Sequence, residues 1–159
     1  MLRKLLSPEE CAKCRICCGF TEEDKWEIPL FAGDNERRTA ERHSPVVAVP
    51  DTQSCVFKMD FHGNDLVMCP AIGENGCTLG ADRPFDCRIW PFRVMKLDER
   101  KVITLSPVCP AVMKHPLSEL MEFLSQDGFA DMLYSHAESY PETVKPYESG
   151  YPILSVQNK

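Results

Sequence analysis

Residues 11–18 read Cys11-Ala12-Lys13-Cys14-Arg15-Ile16-Cys17-Cys18, a CxxCxxCC run. No packing argument asks for four thiols in eight positions. Thiols at two-residue gaps are what a chain offers when it wraps a metal ion or an iron–sulfur cluster. The run therefore points to a small, loop-rich, metal-stabilised fold. Five more cysteines follow, Cys55, Cys69, Cys77, Cys87 and Cys109, making nine. The nine must be divided among ligands, disulfides and core positions.

Composition narrows that division. A chain of 159 residues is expected to be one domain, or one domain with extensions. Its 43% hydrophobic content is enough for a core, and 13 prolines with 8 glycines predict short elements joined by loops. The net charge of −6 excludes a broad basic surface, and with it general nucleic-acid or anionic-membrane binding. Residues 1–6 lack a secretory apolar region and no stretch reads as a membrane span, so a cytoplasmic protein is expected. In a reducing compartment cysteines are poor material for a disulfide scaffold, and an odd number suits full pairing badly.

Around the run, Ser7-Pro8-Glu9-Glu10 predicts a helix start: a cap, a proline at the first position, and acids at the positive end of the dipole. If that helix continued, positions 11, 14, 17 and 18 would share an arc of about 120°. If the chain looped instead, the same spacing would let the backbone curl round a centre. Thr21 to Asp24 predicts another short turn ahead of Pro29, and residues 35–43 a surface helix. Residues 46–49 read as a strand, and 54–69 as a hairpin turning at His62-Gly63-Asn64-Asp65. A tight loop is expected at 73–76 and a second hairpin over 93–105, around Asp98-Glu99-Arg100. Helices are expected over 118–125, with Leu117, Leu120, Met121 and Leu124 at helical spacing, and over 129–136, with Phe129, Met132 and Leu133 inward. The whole reads as α+β, with a cysteine-cluster domain over 1–140 and an extended tail over 141–159 that wraps the body or a partner.

The second cysteine group runs from Cys69-Pro70 through Cys77 to Arg83-Pro84-Phe85-Asp86-Cys87-Arg88-Ile89-Trp90-Pro91. With CxxCxxCC before it, this order and spacing resembles the bacterial and archaeal cysteine-cluster family described as a zinc- or iron-chelating domain. The resemblance covers residues 8–110. It implies metal or iron–sulfur binding and little about substrate. A related cysteine-rich segment occurs in flagellin lysine N-methylases, where an iron–sulfur cluster is implicated, although this chain carries no visible methyl-donor machinery. Cys11, Cys14, Cys17, Cys18, Cys69, Cys77, Cys87 and Cys109 map onto the two groups plus the second Cys-Pro pair. Cys55, in an apolar strand, is the spare that packs as a small hydrophobe.

Four thiolates suit tetrahedral zinc and one iron–sulfur cluster alike. Zinc sites usually show two separated CxxC knuckles, whereas here one dense run is followed by isolated cysteines. That favours a 4Fe–4S cluster, with zinc as the alternative. Neighbouring side chains diverge, so Cys17 and Cys18 sit awkwardly on one mononuclear site. Arg83 and Arg88 bracket Cys87 and are expected to donate hydrogen bonds to thiolate or inorganic sulfur, or else to pair with Asp82 or Asp86. Trp90-Pro91-Phe92 is expected to limit water. His115 is a weaker candidate ligand, and His43, His62 and His136 have less claim. No cysteine–histidine–acid pattern supports hydrolysis. The expected function is an electron-transfer or redox accessory protein that meets another protein. A structural zinc module, or a cluster-dependent methyltransferase-like enzyme, would be the alternatives.

Overall fold

The N-terminal thiol run does not stay helical. In the computed structural model, which describes residues 2–158, Ser7 caps helix α1 (Pro8–Cys14) and its Oγ accepts from the Glu10 N–H at 3.4 Å. Arg15 then enters the left-handed region at φ 55° and its N–H closes on the Cys11 carbonyl. A residue there ends a helix. A 3₁₀ turn over Ile16–Cys18 follows, and then strand β1 (Gly19–Phe20). The single helical face carrying four thiols is therefore not formed. Two thiols stay on α1 and two turn away from it.

The fold is α+β, and the chain divides into two compact units, Met1–Arg88 and Ile89–Lys159. In the first unit, Thr21 Oγ1 donates to Asp24 at 2.7 Å ahead of a 3₁₀ turn over Lys25–Glu27. Helix α2 (Gly33–His43) follows. Strands β2 (Val46–Ala48) and β3 (Cys55–Phe57) pair antiparallel, and Phe31 bridges the other edge of β3 at Cys55. The hairpin expected over 54–69 is thus not made. β3 takes its partner from the preceding strand, across a short turn. Strand β4 (Val67–Met68) pairs instead with β1, far back in sequence. Strands β5 (Ile72–Gly73) and β6 (Gly76–Cys77) make the expected tight turn, and helix α3 (Phe85–Ile89) follows a 3₁₀ turn over Gly80–Asp82. Phe31, Ala40, Cys55, Phe57 and Ala71 form an apolar cluster behind these strands.

The second unit is built on a four-stranded sheet. Strands β7 (Phe92–Leu97) and β8 (Arg100–Leu105) form the predicted hairpin, turning at Asp98 with φ 52°. Helices α4 (Leu117–Ser125) and α5 (Phe129–Ser139) follow. Leu120, Leu124, Phe129 and Leu133 are buried, whereas Leu117 and Met121 face outward. Phe92, Phe123 and Phe129 pack ring against ring, with centroids 5.2–6.1 Å apart. The C-terminal segment is extended, but it does not hang loose. Strand β9 (Lys145–Pro146) runs parallel to β7 and β10 (Ile153–Val156) antiparallel to β8, giving the order β10-β8-β7-β9. No helix among the described residues is long and apolar enough to cross a membrane.

Candidate metal centre

Two short pairings gather Cys18, Cys69 and Cys77 from distant parts of the chain. The β1–β4 ladder sets Gly19 opposite Met68, and the Cys69 N–H donates to the Cys18 carbonyl at 2.7 Å. Cys18 and Cys69 are thereby neighbours through the backbone. The β5–β6 turn sets Cys77 opposite Ile72, three residues beyond Cys69. Thr78 closes the end of this turn: its N–H and its Oγ both bond the Ala71 carbonyl, at 2.8 and 2.9 Å, and its Oγ meets His43 Nε2 at 2.9 Å.

Cys87 arrives on α3, and two carboxylates position that helix. Glu36 Oε1 accepts from the Phe85 N–H at 2.9 Å, while its Oε2 accepts from the Ala32 N–H at 2.8 Å. Asp86 accepts from the Leu30 N–H at 2.9 Å. The segment over residues 30–36 is thus stapled to the start of α3. Burial pushes the Glu36 carboxyl up; the two amides and the Arg88 charge oppose this, and Asp86 adds to it.

Helix α1 lies against β6. A Cβ built on Gly76, at φ 106°, would stand 3.1 Å from the Ala12 Cβ, so only glycine suits both the backbone and the close approach. Arg15 holds the arrangement: its Nε donates to the Ala12 carbonyl at 2.8 Å and its guanidinium reaches the Glu74 carbonyl on the β5–β6 turn.

The outcome is one cavity lined by Cys17, Cys18, Cys69, Cys77 and Cys87. Its other walls are apolar, from Phe20, Ile28, Phe31, Phe57, Met59 and Leu79 among others. It encloses about 30 Å³. The thiols sense one another. Cys17 donates a hydrogen bond to Cys18, which raises its own thiol strongly, with burial and the neighbouring Cys18, Cys87 and Cys11 adding to the rise. The same bond lowers Cys18 to about 7; burial opposes that, and the charges of Arg83 and Arg15 assist it. Cys69 is pushed up to about 11, chiefly by burial. Burial, then Asp86 and the surrounding thiols, raises Cys87 well above its usual range.

The remaining expected site residues lie elsewhere. Cys11 and Cys14 sit exposed on α1, outside the lining. Cys109 is buried in the second unit. Cys55 is fully buried in the apolar cluster beside Phe31 and Phe57. Arg83 donates its Nε to the Gly80 carbonyl at 3.0 Å while its charge reaches Cys18. Arg88 meets Glu36 at 3.4 Å and lies over the Phe85 ring, so its partner is neither Asp82 nor Asp86. His115 bonds Glu119 at 3.1 Å, and His136 packs on the Tyr140 ring. Sequence reasoning missed Glu36, Arg15 and the apolar wall. Glu36 had a visible signal, an acid in the first turn of a helix, but its target was visible only in three dimensions.

The donor set suits a soft, thiophilic centre: five thiols, with the Met59 thioether beside them and no carboxylate or imidazole, line the cavity. As placed, no three cysteine, histidine, aspartate or glutamate side chains among the described residues stand close enough around one point to hold a metal ion. Each thiol turns on a single side-chain torsion, so rotamer changes alone reposition the sulfurs. No family model, curated protein or solved structure matches the chain.

Proposed function

We propose that the chain is a metal-binding protein whose first unit carries a thiolate-held 4Fe–4S cluster in an electron-transfer or redox accessory role. One observation carries this reading: five cysteines from separate segments line a single apolar cavity. Burying thiols together is unfavourable as their charges develop, as the raised Cys17, Cys69 and Cys87 show. A bound cation reverses that penalty, because it favours the thiolate form outright.

Cys17, Cys18, Cys69, Cys77 and Cys87 would hold the centre. When bound, it would supply reversible one-electron chemistry at a potential set by its surroundings. The chain's own residues supply those surroundings. Phe20, Phe31 and Phe57 exclude water, and the Arg83 and Arg15 charges offset negative charge at Cys18. More than four lining thiols favour a polynuclear centre over a single zinc ion, which needs four.

The test is iron, zinc and acid-labile sulfide analysis of anaerobically purified protein, with its absorption and reduced-state paramagnetic spectra. Brown protein containing iron and sulfide in equal amounts supports the cluster. Colourless protein with stoichiometric zinc and no iron overturns the cluster in favour of a structural zinc module, whose removal by chelators would unfold the first unit.

A further inference from the structure

The cavity thiols do not account for Cys11 and Cys14. Both are exposed on α1, and neither lines the cavity. They stand three residues apart on a helix, which places their side chains on one face within reach of a shared ion. Arg15 fixes the helix carrying them: it bonds the Ala12 and Glu74 carbonyls, and Ala12 meets Gly76 at the approach only glycine allows. Helix α1 is therefore held against β6, which carries Cys77, a thiol both exposed and part of the cavity lining. The chain then turns at Arg15 and brings Cys17 to the cavity within the electrostatic reach of Cys11. Thiols are thus graded from water to interior: Cys14 and Cys11 outside, Cys77 at the rim, and Cys17, Cys18, Cys69 and Cys87 part-buried. Acidic Glu9 and Glu10 lie on the same helix, with Lys13 opposing them.

We propose that Cys11 and Cys14 form an outer capture pair for thiophilic metal cations, which hand the ion to the cavity thiols by stepwise ligand exchange. This rests on the cavity being a metal site. Each new sulfur–metal bond releases that thiol's proton to water. Each transfer breaks one sulfur–metal bond as another forms and the freed outer thiolate takes up a proton from water, so the metal keeps its oxidation state. Two ligands bind loosely and transiently. Four bind tightly, so the ion moves inward.

Loading is followed with Co²⁺ added to reduced, metal-free protein under anaerobic conditions, through the sulfur-to-cobalt charge-transfer absorption in a stopped-flow instrument. The wild type is compared with the double variant Cys11→Ser, Cys14→Ser, whose changes lie on an exposed helix face. The variant should load about tenfold more slowly at limiting cobalt, the order expected on losing a tethered local concentration of ligand, and should reach the same final occupancy. Loading at the wild-type rate overturns the capture role. A reduced final occupancy also overturns it, by making the pair resident ligands. If the wild type develops no sulfur–cobalt absorption at all, the metal-site reading itself fails, an outcome distinct from the other two.

Discussion

Gly76 shows how far one position is constrained. Its φ of 106° and the 3.1 Å approach to Ala12 act together. Gly76→Ala should cost about 1–3 kcal/mol in urea unfolding, and Ala12→Gly in the same background should recover only the part due to contact. A cost below about 0.5 kcal/mol would show that α1 is not seated on β6 as described. The cysteines differ just as sharply. Cys18, lowered to about 7, is largely thiolate at slightly alkaline pH, whereas Cys69, pushed up to about 11, is not. Iodoacetamide on reduced, metal-free protein at about pH 7.5 should therefore label Cys18 before Cys69 in mass-spectrometric mapping, with the Cys18 rate falling as pH drops below about 7. Equal labelling would remove the asymmetry. At this scale the sequence showed which residues were unusual. It did not show that Arg15 ends the helix and also serves as a clamp, and the clamp depends on a turn 59 residues away.

Glu36 matters because it joins elements. It ties the entry of α2 to the start of α3 through two backbone amides and meets Arg88. Glu36→Gln leaves one fewer acceptor oxygen, and a stranded amide should cost about 1–3 kcal/mol. The pH dependence has a definite sign. Burial raises the folded carboxyl above its ordinary 4.5, so between 4.5 and the raised value the folded chain binds more protons than the unfolded one. Stability from this group therefore falls as pH rises through that window. Glutamine removes the slope, so the variant's deficit should be larger near about pH 4 than near about pH 7; a pH-independent deficit would contradict this. Elements with strong local signals were legible: α1's cap, the β7–β8 hairpin and both C-terminal helices. The 54–69 hairpin was not, because β3 was offered two partners. Alternation identifies a strand but not its neighbour, and the nearer partner closed the smaller loop. Helical spacing marked the 117–125 helix without saying how wide a strip is covered: Leu120 and Leu124 are buried, and Leu117 and Met121 face outward.

In the molecule as a whole, each unit has its own core, and the C-terminal segment is structural. Leu154 is 7% exposed on β10 while its neighbour Ile153 is 40% exposed. Leu154→Ala should cost about 2–4 kcal/mol in urea unfolding, and Ile153→Ala less than about 0.5, the contrast expected of a sheet strand and not of a loose tail. Equal small effects would detach β10 from the fold. The segment read as a tail because Pro141, Pro146 and Pro152 interrupt every period. Proline tolerates a sheet edge, and Pro146 takes the edge place beside β7, a long-range pairing that no local pattern announces. By itself the sequence determined the α+β class and the main helix starts, since caps and turns are local chemistry, and it raised through a family resemblance the suspicion that cysteines at 11–18 and 69–87 belong together. Only the tertiary structure decided which thiols meet. The left-handed turn at Arg15 divides the N-terminal four into an exposed pair and a cavity pair, and the ladder from β1 to β4 chooses Cys69 for Cys18. Those choices rest on long-range backbone pairing, whose partners no local pattern can specify.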